Sequence, residues 1–189
     1  MNIGWQKLAD DHSADGLVGG VQRMLMVVAL FAGLLGQGLP AFGQESRPDN
    51  EITNLGDGVY LFRHLFHQAI FITTPKGVIV TDPISAEASA WLRKEIKQYS
   101  DQPVRFVVYS HHHDDHITGG SLFADTALFV SQAGAKEKIR EAADPLTPLP
   151  DLTFTDRMSI HLGGRRVELI YTRNDHSDNR LGVLVPEVG

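Results

Sequence analysis

Hydrophobic and polar positions follow a strand, helix, strand order from about residue 52 onward. The segments GVYLFR and AIFITTPKGVIVTDP are rich in β-branched and aromatic residues, and Pro75-Lys76-Gly77 interrupts the second, which predicts a hairpin. Ser85 is a favourable cap for a helix ending near residue 98, where apolar residues recur at helical spacing. VRFVVYS then predicts a short apolar strand. This β-α-β order indicates an α/β fold in which helices cover a sheet.

The same alternation continues in the second half of the chain. ALFVS predicts a strand, residues 132–143 predict a helix, and RRVELIYT and LGVLVP predict two more strands. The sequence contains no internal repeat, low-complexity tract or charge run after residue 52. We therefore expect a single α/β domain over residues 52–189.

An apolar run sets residues 1–43 apart from the rest. MLMVVALFAGLL at residues 24–35 follows Arg23, and the small residues Ala41 and Gly43 suit a signal-peptidase site. The pattern predicts a leader with a signal peptide, a polar linker over residues 44–51, and a periplasmic or secreted mature chain. An uncleaved membrane anchor is the alternative, but the apolar core is short for about 30 Å of hydrocarbon. We expect no stable membrane association after cleavage.

Composition and charge limit the class of function. The chain has 189 residues, of which 42% are hydrophobic and 21% charged, as in globular proteins. A formal net charge of -6 provides no polybasic surface for nucleic acid, so a small-molecule substrate is the expected partner. The absence of cysteine excludes a disulfide framework, a thiolate metal site and a cysteine nucleophile within this sequence. Imidazole and carboxylate groups must carry the chemistry.

The segment HHHDDHITGG at residues 111–120 directly follows the predicted strand VRFVVYS. Carboxyl ends of strands are where α/β sheets place ligand sites. Residues two apart on extended backbone point to the same side, so His111 and His113 can converge on one cation while His112 faces away. The next turn can present Asp115 and His116 to a neighbouring point. These groups suit zinc, iron or manganese; a solvated loop or pH-sensitive patch is disfavoured because clustered imidazoles repel on protonation.

The spacing His-x-His-x-Asp-His, after a hydrophobic strand and before a glycine pair, resembles the signature of the metallo-β-lactamase superfamily. Asp82 in VTDP matches the aspartate beneath the metal site of that family, and His176 in NDHSDNRLGVLVP matches the next histidine ligand. The resemblance implies an αββα sandwich with a metal-binding edge. It also implies five metal ligands: His111, His113, Asp115, His116 and His176.

The resemblance further predicts an amino-terminal portion of that fold, incomplete at the C-terminus. The sequence ends at Gly189, whereas family members continue with another second-site ligand, a further histidine and the second half of the sandwich. Under this expectation the histidines at 111, 113 and 176 complete one site, and Asp115 and His116 form half of a second.

The activity implied is a zinc-dependent hydrolase holding one or two ions, with iron or manganese as other metals. A metal-bound hydroxide, held and oriented by Asp115, would hydrolyse an ester, thioester, lactone or lactam, while Asp82 would orient a ligand from outside the coordination sphere. The alternatives are an iron-dependent redox member of the persulfide dioxygenase type and a truncated, non-catalytic metal-binding protein. His64 and His67 are expected to be surface or packed residues, with cleft lining as the alternative. The glycine pair is expected to allow a close turn and not to bind phosphate.

Overall fold

The computed structural model describes residues 47–173 and 177–186. The predicted signal peptide, the first three residues of the predicted linker and His176 lie outside these residues. The strands are β1 Asn50–Gly56, β2 Val59–His64, β3 His67–Thr74, β4 Gly77–Thr81, β5 Val104–Val108, β6 Leu128–Gln132, β7 Leu152–Phe154, β8 Arg157–Leu162, β9 Arg165–Tyr171 and β10 Leu181–Leu184. The helices are α1 Ala86–Glu95, α2 Asp114–Ile117 and α3 Ala133–Ala142, with short 3₁₀ helices at Ile96–Gln98 and Gly120–Phe123.

The strands form two sheets. The first has seven strands in the order β1 to β7; its first four strands pair antiparallel and β4 to β7 pair parallel. The second is antiparallel, with the order β10-β9-β8. Thr74 pairs with Gly77 across the predicted hairpin, which confirms it. The carboxyl ends of the parallel strands meet at one edge of the first sheet, where the histidine-rich segment follows β5.

Two apolar clusters hold three layers together. Val78 and Val80 of β4 belong to the cluster that contains helical residues such as Leu92 and Ile139. Ile79, which points the other way, belongs to the cluster shared with Val167 and other residues of the second sheet. The described residues thus form a helix layer, a sheet and a second sheet, in agreement with the expected α/β sandwich. No helix among them is long and apolar enough to cross a membrane.

Helix α1 begins as its sequence predicts. The Ser85 hydroxyl accepts a hydrogen bond from the amide of Ala88 at 3.1 Å and satisfies one of the unpaired amides of the first turn. Arg93 and Lys94 lie in the last turn, where positive charge complements the helix dipole. Strand β1, by contrast, begins at Asn50, two residues before the predicted start of the domain.

The segment between β4 and α1 has an unusual backbone. Asp82 and Ile84 both have positive φ angles, 35° and 70°, a conformation that is strained for a β-branched residue such as Ile84. Tertiary hydrogen bonds hold this path: the amide of Asp82 donates to Val108 at 3.0 Å and that of Ile84 donates to His116 at 2.8 Å. The segment consequently lies directly against the residues that follow β5.

The glycine pair after the histidines is a packing feature, as predicted. Gly119 has a φ of 91°, and a Cβ added there would lie 2.5 Å from the carbonyl oxygen of Ser85. A Cβ at Gly120 would lie 2.5 Å from the hydroxyl of Tyr109. Both positions therefore require glycine for close approach of neighbouring segments.

Candidate metal centre

The histidine-rich segment changes from extended backbone to a single helical turn, and this change spreads its side chains over one edge of the sheet. His113 is extended and directly precedes α2, which carries Asp115 and His116. The ring centroids of His111 and His113 lie 4.6 Å apart, and those of His111 and His116 lie 4.4 Å apart. His111 is only 2% exposed. Three imidazoles thus gather at the carboxyl end of β5.

Asp82 lies beneath this cluster and accepts three hydrogen bonds. Its Oδ1 accepts from the amide of Ser110 at 2.7 Å. Its Oδ2 accepts from the Ser110 hydroxyl at 2.5 Å and lies 3.1 Å from Nδ1 of His116. Because Asp82 is only 5% exposed, these hydrogen bonds replace those that water would make to its carboxylate. The Asp82 carboxylate therefore positions the His116 ring directly and the His111 ring through Ser110.

These contacts define which ring nitrogen of two histidines carries a lone pair. The Ser110 hydroxyl has one proton and donates it to Asp82, so its oxygen accepts from Nδ1 of His111 at 2.9 Å. His116 donates its own Nδ1 proton to Asp82. In the neutral form of each ring the lone pair is then on Nε2, the atom used for metal binding when a carboxylate or similar group holds Nδ1.

Asp115 has a partner from another part of the chain. Its Oδ2 lies 2.9 Å from Nε2 of His67, the first residue of β3, and 4.0 Å from Nε2 of His116. The rings of His67 and His116 meet edge to face with centroids 5.4 Å apart. The expectation of a surface or packed residue is incomplete for His67: the side chain packs against His116, and the β2–β3 hairpin places it at the edge of the histidine cluster, as the cleft-lining alternative describes.

Two ionisable groups of the centre have displaced pKa values. The hydrogen bond from His67 holds the pKa of the Asp115 carboxyl below its ordinary value, and the charge of His116 acts in the same direction. The hydrogen bond to Asp82 raises the pKa of His116, against the opposing effect of burial. Asp115 is thus an anion at neutral pH, and positive charge is favoured beside both carboxylates.

The donor atoms form two overlapping groups that suit a divalent cation. His67, Asp115 and His116 make one group, and Asp82, His111 and His116 make the other; within each, the candidate ligand atoms lie within 4.8 Å of one another. Imidazole nitrogen and carboxylate oxygen are ligands for zinc and related metals. Since Oδ2 of Asp82 already accepts two hydrogen bonds, we assign Asp82 to orientation of His111 and His116.

The remaining histidines differ in their surroundings. Nδ1 of His112 lies 3.0 Å from Nδ2 of Asn179, and its ring centroid lies 4.7 Å from that of His113, so His112 does not lie apart from the other imidazoles as its sequence position predicts. His64 is buried and lies 2.7 Å from Oδ1 of Asn50, so its role is packing. His161 is exposed on β8. The predicted ligand His176 falls outside the described residues.

Sequence reasoning missed Ser110 and His67. Ser110 immediately precedes His111 at the end of a strand, but the carboxylate that it contacts, Asp82, is 28 residues earlier in the chain. His67 is separated from Asp115 by 48 residues, and no local pattern relates the two.

A cavity in the described part of the chain lies away from this centre. It has a volume of about 230 Å³ and is lined by Arg93, Lys97 and Val104, among others. Val104 is the first residue of β5, whereas the histidines follow the last one. This cavity is therefore at the opposite end of the strand from the candidate metal centre.

Comparison with known proteins agrees with this arrangement. The model of the metallo-beta-lactamase superfamily matches residues 63–179, which include His67, Asp82 and the whole histidine-rich segment. The chain belongs to the metallo-β-lactamase superfamily. The matched range contains the imidazole and carboxylate residues gathered at the sheet edge, together with strands of both sheets.

Solved structures of metallo-β-lactamases share the fold. One from Pontibacter korlensis has a TM-score of 0.62 and 22% identity, covering 73% of this chain and 67% of that chain. BJP-1, a subclass B3 enzyme of Bradyrhizobium japonicum, has a TM-score of 0.61 and 18% identity, covering 70% of this chain and 55% of that chain. At these identities the likeness establishes architecture only.

A curated relative is the 2,4-dinitroanisole O-demethylase subunit alpha of Nocardioides sp. (strain JS1661). It is 24% identical over 151 residues, which cover 78% of this chain and 46% of the relative. The chain thus spans about half the length of the curated relative it matches.

Proposed function

We propose that this metallo-β-lactamase superfamily chain is a metal-dependent hydrolase. The observation that carries the proposal is the hydrogen-bond network of Asp82, which sets the lone pairs of His111 and His116 on Nε2. A buried carboxylate that serves only folding has no need to define the tautomers of two neighbouring imidazoles. The superfamily membership and the donor groups support the same proposal.

The residues would divide the work as follows. His111, His113 and His176 would hold one ion, with Asp82 and Ser110 fixing the His111 ring. A divalent metal supplies Lewis acidity, which lowers the pKa of a water molecule to about 7 and polarises a carbonyl group. Asp115, kept ionised by His67 and His116, would accept a hydrogen bond from the attacking water and so orient it.

Zinc is the proposed metal because the donor groups consist of imidazoles and carboxylates, and one or two ions per chain are proposed because Asp115 and His116 are not ligands of the first ion. The proposed substrates are small esters, thioesters, lactones or lactams. The Nocardioides relative is named for removing the methyl group of an aryl ether, so 2,4-dinitroanisole belongs in the same substrate panel. Iron that copurifies with a chain lacking hydrolytic activity would instead favour the redox alternative.

Asp115→Asn tests the catalytic assignment. The variant keeps the size of the side chain and the first ion but removes the charge that orients the nucleophile. We expect zinc to remain bound at the first site, by mass spectrometric metal analysis, while turnover of the best substrate of the panel falls by about 10²–10⁴. Asp114→Asn, at the neighbouring exposed carboxylate, is the matched control and should retain activity. Equal turnover in wild type and Asp115→Asn would refute the role of Asp115.

We also propose that residues 1–43 direct export to the periplasm or beyond, on the basis of the apolar run at residues 24–35. Amino-terminal sequencing of the protein from fractionated cells should give a start near Gln44. Recovery of the intact leader in the cytoplasmic fraction would contradict export.

A further inference from the structure

We propose that His67 is a protein ligand of a second cation site, which it forms together with Asp115 and His116. The inference rests on the proposed metal dependence. It goes further by assigning a ligand from the β2–β3 hairpin, a part of the chain that the His-x-His-x-Asp-His motif does not include.

The spacing of the three donor atoms fits a small divalent ion. Nε2 of His67 lies 2.9 Å from Oδ2 of Asp115, and Nε2 of His116 lies 4.0 Å from the same oxygen. Ligands placed tetrahedrally about 2.1 Å from zinc are separated from one another by roughly 3.4 Å. The two distances bracket that value, and all three candidate ligand atoms lie within 4.8 Å of one another, so small rotations of the side chains suffice to bring them to coordination distance.

The donor atoms also have the required orientation. Nδ1 of His116 is held by Asp82, which leaves Nε2 as the atom that faces Asp115. His67 likewise presents Nε2, the atom already in contact with the carboxylate. In the metal-free protein a proton lies between His67 and Asp115, and a divalent cation would replace that proton.

The hairpin fixes His67 in this position before any ion binds. His67 pairs with His64 across the two-residue turn, and the amide of Leu65 donates to the carbonyl of Asp49 at 2.6 Å. The buried guanidinium group of Arg63 donates to the carbonyl of Leu65 at 2.7 Å. A backbone held at both sides of the turn limits His67 to motion of its side chain, which is 15% exposed.

His67, Asp115 and His116 supply the three protein ligands that a catalytic zinc site requires. Two imidazoles and one carboxylate form a three-ligand set that zinc enzymes use, with a fourth position open to water or substrate. The ring of His116 lies 4.4 Å, between centroids, from that of His111 at the first site, so the second cation would lie next to the first, on the side of the β2–β3 hairpin. Substrate would then meet both ions at the same edge of the sheet.

A role for His67 as only a hydrogen-bond donor to Asp115 makes the opposite prediction for two substitutions. His67→Gln retains an N–H donor of similar reach but replaces imidazole with a weak ligand. His67→Glu retains a metal-binding group, a carboxylate, on a side chain of similar length, but an ionised carboxylate cannot donate a hydrogen bond to Asp115. The order of the two variants therefore separates a metal ligand from a positioning residue.

The test is a titration of the metal-free full-length chain with Co²⁺, followed by the visible absorption of the bound ion and by equilibrium dialysis. We expect two ions per wild-type chain, a loss of affinity for the second ion of about 100-fold or more in His67→Gln, and a smaller loss in His67→Glu. His161→Gln, at the exposed histidine of β8, is the matched control and should behave as wild type.

Three outcomes would overturn the inference. Binding of a single ion by the wild type removes the second site, and unchanged affinity in His67→Gln removes His67 from it. Stronger second-ion binding by His67→Gln than by His67→Glu identifies a positioning role instead. Each of these leaves the first ion, and hence the proposed function, intact, whereas a wild type that binds no metal overturns both.

A measurement on the wild type avoids dependence on variant folding. Nitrogen NMR of histidine-labelled protein distinguishes protonated from metal-bound Nε2. The His67 signal should change with the second equivalent of Zn²⁺, and an unchanged signal at saturation would contradict ligation.

Discussion

Replacing Asp82 by asparagine should weaken zinc binding strongly while the chain still folds. Oδ1 of Asp82 faces the Ser110 amide, which can only donate, so the asparagine oxygen must occupy that side. Its NH₂ group then faces the Ser110 hydroxyl and Nδ1 of His116. As a donor it forces His116 to accept at Nδ1 and to carry its proton on Nε2. The released Ser110 proton can turn to His111 and impose the same tautomer there.

The expected magnitude follows from the number of imidazoles affected. An outer hydrogen-bond partner of a metal-ligating histidine contributes about 10–100-fold in affinity. Because Asp82 supports His116 directly and His111 through Ser110, we expect zinc affinity to fall by about 100-fold, or about 2.8 kcal/mol. Three hydrogen bonds to a carboxylate become contacts of a neutral amide, which should lower the free energy of unfolding by about 1–3 kcal/mol.

Competition with a chromophoric chelator measures the zinc affinity, and urea denaturation of the metal-free chain measures the stability. Asp151→Asn is the matched control. Asp151 also accepts a hydrogen bond from a backbone amide, that of Phe129 at 2.8 Å, but it lies at the other end of the parallel strands. It should show a similar or smaller loss of stability and unchanged zinc affinity. A folded Asp82→Asn chain that binds zinc as tightly as the wild type would refute the tautomer argument.

Three further substitutions have defined outcomes. His113→Ala should lose zinc after dialysis because two imidazoles cannot close the first site; equal zinc retention on folded protein would place the site elsewhere. Gly119→Ala should cost more stability in urea than Gly164→Ala, since both have positive φ but only Gly119 has backbone within contact distance; equal losses would contradict the packing role. Arg63→Met should lower the free energy of unfolding by about 1–3 kcal/mol, because the buried guanidinium group donates to Glu51 and to the carbonyls of Pro48 and Leu65. Arg47→Met, at an exposed partner of the same carboxylate, should have little effect; similar effects of the two would show that the hydrogen bonds of Arg63 do not stabilise the hairpin.

The sequence predicts those parts of the fold that have local signals. The Pro75-Lys76-Gly77 turn, the Ser85 cap and the apolar β5 all depend on residues near one another in the chain, and each is present. Strand β7 has three residues and is at the edge of the sheet, so it is too short for a periodic pattern. Strand β1 begins in polar residues, which give no local signal for a strand. Its start is set by pairing with β2, the neighbour of this edge strand.

The candidate metal centre divides in the same way. The six-residue motif places His111 and Asp115 by its position after a strand, and this could be read without a structure. The contribution of His67 depends on the register of β2 with β3 and on the way in which the hairpin lies against α2. Such a relation is set by long-range packing, and composition or spacing near residue 67 does not encode it.

The positive φ angles of Asp82 and Ile84 affect the affinity of the centre for an ion. Holding Ile84 in that conformation costs about 1–3 kcal/mol, and the folded core together with the hydrogen bond to His116 offsets it. The distortion is thus completed when the chain folds, before an ion arrives. Capture of an ion then requires no rearrangement of residues 82–84, so ordering this segment does not reduce the affinity.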